Sequence, residues 1–246
     1  FGGHRPVLYK YFKDKFNHKP FASECQAELN YFYPSDKQNI LKTIDLNRVY
    51  QVHYLLADSG EDVASRWGHS MFLLVMCSPH RKVASAECLK DFSHHIVLSF
   101  RAFITTPEMS RVAGLFGSYP SRLFLLDLPQ VREEYNRYEF RNLLSLPLKL
   151  TEEEKNRFVM RSLESHWGYD GQYYFLTNNC AVEAFNLLRS VLYANEKFTT
   201  GTVNTPKGLL EWLVRSQLVD MSVLNNHDSA VKLGHIFESY RSVYEK

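Results

Sequence analysis

The sequence lacks a charge bias, and this sets aside one large class of function at the start. Its 29 Lys and Arg nearly balance 27 Asp and Glu, for a formal net charge of +2. That is too little for the basic footprint that phosphate-backbone binding needs, so no nucleic-acid partner is expected. Long apolar runs are also missing. The longest, Met71 to Cys77, falls far short of the roughly 20 residues of a membrane-spanning helix. There is no C-x-x-C and no H-E-x-x-H, so neither a zinc site nor another metal or cofactor is expected. A G-x-S-x-G elbow, a Walker loop and a dinucleotide fingerprint are absent as well. The two glycines of GLFGSYP (114–120) are followed by Tyr-Pro rather than a helix, which reads as a structural turn. No internal repeat or low-complexity stretch is present.

What remains is an ordinary globular composition in 246 residues, 45% hydrophobic and 23% charged, enough for one large domain or a domain with an appendage. Aromatic residues make up 14%, with 15 Tyr and 17 Phe, which suits a thick core or an aromatic-lined groove. Four cysteines stand at 25, 77, 88 and 180. Cys77 and Cys88 bracket a polar loop, and the spacing leaves two readings open, a disulfide suited to an oxidising compartment or two free thiols. The chain opens on Phe1 rather than Met, so its N-terminus reads as removed or not included, which leaves a cleaved signal peptide open.

Along the chain, residues 1–47 read as an N-terminal extension, with one helical turn or more in SECQAELNYFY and a short helix in PSDKQNILKTI. The main domain is expected over 48–215. Strand signals fall on 49–57, 70–77, 94–104 and 122–128, rich in β-branched and aromatic residues. The second and third of these are expected to pair as antiparallel neighbours. A helix is expected over 152–166, with Thr151 and Glu154 at capping-box spacing. A second begins at Cys180, where Ala181, Phe185, Leu188 and Leu192 keep one face apolar. A third spans 205–216, with Pro206 near its start. Residues 216–246 read as a tail that turns helical at its end.

The chemistry-bearing position is Cys180. It follows Asn178-Asn179 and opens a helix, where the helix dipole and free N–H groups favour a thiolate and bind an oxyanion. A thiol nucleophile needs a base, and His69 stands just after Gly68 at the edge of a buried strand. Residues late in the next strand then lie beside His69. Ser99 is preferred as the group that orients the imidazole, with Arg101 and His95 as rivals, His95 lying nearer the opposite end. A small buried thiol and a surface histidine are the competing readings for Cys180 and His69. Tyr173, Tyr174 and Phe175 precede the cysteine and are read as groove lining or core.

Six segments stand here in one order: RWGHSMFLLV, HHIVLSFRA, GLFGSYPSRLFLL, EEYNRYEFRNLLSLPLKLT, YYFLTNNCAVEAFNLL and TPKGLLEWL. Together they resemble the Lnb N-terminal periplasmic domain family over roughly residues 48–215. The family's Gly-His motif falls on Gly68-His69 and its Asn-Cys motif on Asn179-Cys180. Many members read Asn-Tyr where this chain has Ser99-Phe100. The order is also similar to the circularly permuted NlpC-like group that includes lecithin:retinol acyltransferase. The resemblance implies an α+β, circularly permuted papain-like fold, with a small antiparallel sheet packed on helices. It implies a periplasmic lipoprotein N-acyltransferase at a membrane surface, with a phospholipid acyl donor and a lipoprotein acceptor. Cys180, His69 and Ser99 would be catalytic, and Asn179, Asn178 and Tyr174 would hold the oxyanion or substrate. A cysteine peptidase or amidase with the same dyad, and a non-catalytic binding module, are the alternatives.

Overall fold

The computed structural model describes residues 29–33, 40–60, 66–102, 119–169, 171–174, 179–192 and 201–245. Two short strands, β1 (Asn30–Tyr33) and β2 (Ile40–Thr43), pair antiparallel as a separate ribbon. Helix had been expected at both. NYFY and ILKT are instead rich in aromatic and β-branched residues, and each lends its backbone to the other.

The main sheet takes its strands from β3 (Val49–Ala57), β4 (His69–Met76), β5 (Ile96–Ala102), β6 (Tyr119–Asp127), β7 (Leu143–Pro147), β8 (Gly171–Tyr173) and β9 (Ile236–Phe237). Their order is β8-β6-β5-β4-β3-β7-β9, every pair antiparallel. The sheet is thus larger than the small one expected. β4 and β5 are neighbours, as the sequence predicted, with Met71 opposite Ser99. The segment after residue 216 is no loose tail, because it supplies edge strand β9 before ending in a short helix.

Helices cover both faces. α1 (Leu128–Arg132) runs directly into a π-helical turn, Glu133–Tyr138. α2 (Glu152–Gly168), α3 (Cys180–Val191), α4 (Pro206–Arg215), α5 (His227–Lys232) and α6 (Tyr240–Tyr244) follow. Side chains alternate along a strand, so each central strand feeds two cores. Tyr54, Phe72, Leu74, Leu98 and Phe100 point to α2 and α3, meeting Phe158, Leu163, Ala181 and Leu188. Leu55, Met71, Leu73, Val75 and Val97 point the other way, to Leu128, Val131 and Tyr135. Burial on both sides explains why 71–77 reads as one unbroken apolar run.

α2 starts where its capping box predicts. The Thr151 hydroxyl accepts from Glu154 N, and Glu154 reaches back to Thr151 N. Cys77 and Cys88 form a disulfide across the β4–β5 connection, which settles the two readings the spacing left open. Of the described cysteines only Cys180 is free.

Candidate active site

Cys180 is the first residue of α3, and Asn179 is its N-cap. The Asn179 Oδ1 accepts from Ala181 N at 3.0 Å and from Val182 N at 3.2 Å, while Nδ2 donates to Asn204 O at 2.9 Å. The amide therefore holds the helix start and the 203–206 loop together. The Cys180 thiol is 4% exposed. Burial pushes its pKa up to about 11, against the opposing pull of the backbone N–H groups of Ser70, Ala181 and Cys180 itself and of the Arg141 charge. Cys180 thus opens a helix that packs on β4.

Below it is a buried polar cluster that sequence reasoning missed. The Ser70 hydroxyl and Tyr54 hydroxyl are 2.8 Å apart, and Tyr54 donates to Pro206 O at 2.9 Å. Both residues are fully buried. The available signal was strand alternation, which points Ser70 away from His69 and toward α3.

His69 begins β4. Gly68 before it has φ +80, and a Cβ there would come within 2.8 Å of Ala57 O, so only glycine fits the entry to the strand. The His69 Nε2 and Ser99 Oγ are 2.9 Å apart. Ser99 also accepts from Arg101 Nε at 2.9 Å, and Arg101 Nη1 holds both Glu134 carboxylate oxygens at 2.9 Å. The His69 ring stacks on Tyr135, with centroids 6.1 Å apart and planes 17° from parallel. Arg141 lies 4.9 Å from the same Tyr135 ring and donates to the Ala57 and Asp58 carbonyls. Burial, helped by the Arg101 and Arg141 charges, holds the His69 imidazole well below its ordinary pKa. The ring is therefore neutral at physiological pH.

Of the expected site residues, the structure brings His69 and Ser99 into direct contact and carries Cys180 to the same end of β4. It does not join His69 to Cys180. The imidazole lies on the Tyr135 face of the sheet, α3 packs on the opposite face, and among the described residues no hydrogen bond links ring and sulfur. Arg101 supports Ser99 rather than replacing it. His95 is at the far end, its Nδ1 accepting from Met76 N at 3.3 Å. Tyr174 uses its hydroxyl on Gln172 Oε1 at 2.7 Å. Asn178 and Phe175 lie outside the described residues. Tyr135 and Arg141, which frame the imidazole, were not legible because they come from the distant π-helical turn and the start of β7. No group of three potential metal ligands occurs among the described residues.

These features define an α+β domain with one buried thiol at a capped helix start and a histidine–serine pair on the adjoining strands. Residues 36–216 match the model of the Lnb N-terminal periplasmic domain, and the chain belongs to that family of periplasmic domains. Comparisons with curated proteins and with solved structures return no significant match. Among the described residues no helix is long and apolar enough to cross a membrane.

Proposed function

We propose that the protein is a cysteine acyltransferase on a circularly permuted papain-like fold, moving an acyl chain from a phospholipid to the amino terminus of a lipoprotein. Membership in the periplasmic Lnb family supports a role in lipoprotein processing. The observation that carries the chemistry is the place of Cys180, the first residue of a helix capped by Asn179, where nearby backbone N–H groups favour the thiolate. A carbonyl carbon attacked by that sulfur develops its oxyanion at the helix start, beside the Cys180 N–H.

His69 is the base. With its proton on Nε2, donated to Ser99 Oγ, the ring keeps its Nδ1 lone pair free. In the resting state the thiol is protonated and the ring neutral, and because the ring lies on the Tyr135 face of the sheet, its action as base requires it to turn about the end of β4 toward the sulfur. Nδ1 then takes the thiol proton as sulfur bonds to the acyl carbon. The ester C–O bond breaks, and His69 returns the proton to the departing lysophospholipid. In the second half an amine attacks the thioester, the C–S bond breaks, and the proton released by the amine re-forms the thiol through His69. Trp67, 61% exposed beside Gly68, and Phe140, 47% exposed beside Arg141, give this end an aromatic rim suited to a membrane surface.

The test is intact mass after incubation with phospholipid. One acyl chain is expected on the wild type, none as a thioester on Cys180→Ser, and a strongly slowed adduct on His69→Gln. Equal labelling of wild type and Cys180→Ser sinks the proposal, and equal rates for wild type and His69→Gln remove His69 as base. Transfer to an added amine rather than to water separates the transferase from a hydrolase.

A further inference from the structure

We infer that the groove between α2 and α3 is a binding site for a primary ammonium group, with Glu183 as its anionic anchor. A cavity of about 450 Å³ opens there, walled by Phe100, Arg161, Glu164, Tyr169, Glu183 and Leu187. Glu183 and Leu187 stand at i and i+4 on α3, on one face of the helix whose first residue is Cys180.

Glu183 is the unusual member. It is 4% exposed and lines the cavity, and among the described residues no hydrogen bond or ion pair holds its carboxylate. Burial lifts its carboxyl to about 7. A buried carboxylate without a partner is costly and is normally paired or removed. The adjacent Glu164 shows the ordinary solution, an ion pair to Arg161 at 2.8 Å. Glu183 is left facing the groove, where a ligand could meet it. That ligand is a cation, and the walls favour a nitrogen one. Phe100 and Tyr169 meet edge to face at 5.7 Å, and aromatic walls attract ammonium groups. A hard metal ion needs six or more oxygen ligands, and no cluster of three potential metal ligands occurs among the described residues.

As a substrate contact the site rests on the acyl-transfer reading, which offers two sources of a primary ammonium: the ethanolamine headgroup of a donor lipid, or the amino terminus of the acceptor. The binding itself does not depend on that reading. Calorimetric titration of the whole chain with phosphoethanolamine, and separately with Gly-Ser-Ser amide, tests it, with glycerol phosphate and the N-acetylated peptide as controls. At least one amine is expected to bind, its acetylated or amine-free counterpart not to bind, and Glu183→Gln to weaken the amine at least tenfold. Binding of phosphoethanolamine alone assigns the headgroup, of the peptide alone the acceptor, and of both a shared ammonium pocket. Gln reproduces the shape of the protonated carboxyl, and an unchanged circular dichroism spectrum verifies folding. If neither amine binds, or if Glu183→Gln binds equally well, the site is overturned whether or not Cys180 becomes acylated. Acylation failing while an amine binds removes the acyl-transfer reading alone.

Discussion

Ser99 sits at a junction of two charged networks. It takes a hydrogen bond from Arg101, itself anchored by Glu134, and meets His69 Nε2 through the same oxygen. Replacing it with alanine leaves the imidazole without an orienting partner on that side and frees Arg101 Nε. In the proposed reaction Ser99→Ala is expected to lower the acylation rate roughly 10- to 100-fold, the scale of a misplaced catalytic group. Stopped-time mass measurements read this directly, and Ser99→Asn, which restores an acceptor, is expected to recover part of the rate. The thiol brings a second consequence at this scale. A sulfur that is 4% exposed and whose pKa is raised to about 11 reacts slowly with alkylating agents at neutral pH. Slow labelling by iodoacetamide is thus the resting property of this site and does not mark it as inert.

At the scale of the element, the Cys180 helix depends on its cap. Asn179 satisfies two N–H groups of the first turn and ties the helix to Asn204. Asn179→Ala is expected to cost about 1–2 kcal/mol of stability, measurable as a shift in the urea midpoint. The sequence disclosed this cap and the Thr151–Glu154 box because both are local, their partners two or three residues away. The strands were legible for a related reason, since 49–57 and 71–77 carry their burial in their own composition. The β1–β2 ribbon was not legible. Each four-residue strand is too short to show a period, and its partner decides its conformation. The face of the sheet taken by the His69 ring was hidden for the same cause. It follows from Tyr135, which only the chain's return through α1 brings beneath the strand.

For the whole molecule, acid is the expected weak point. His95 is 1% exposed, and burial lowers its pKa from 6.5 to about 4. His53, fully buried and stacked on His235 at 5.5 Å, is lowered in the same direction, by burial first and by its histidine neighbours second. Between the two pKa values of each group the unfolded chain binds more protons than the folded one. Their stabilising effect is therefore complete above about 6.5 and is lost as the pH falls below it, for His95 down to about 4. For His95 alone the loss is on the order of 3 kcal/mol. Glu183 opposes this trend, because its raised carboxyl favours the folded state at lower pH. Thermal unfolding followed by circular dichroism is expected to give a lower midpoint at pH 4.5 than at pH 7.5, and His95→Gln, which keeps an acceptor for Met76 N, is expected to flatten the dependence. An equal midpoint at both pH values removes the buried histidines as its cause.

The disulfide also bears on the order of events in the life of the protein. β4 carries His69 and β5 carries Ser99, and the covalent tie between Cys77 and Cys88 closes the connection joining them. A slip of one residue between those strands turns Ser99 to the other face. Before export, in a thiol-rich interior, that clasp stays unfastened. Only after delivery to the periplasm does the clasp fix the alignment on which the histidine's partner depends, so the chain matures at its destination and stays unfinished in transit.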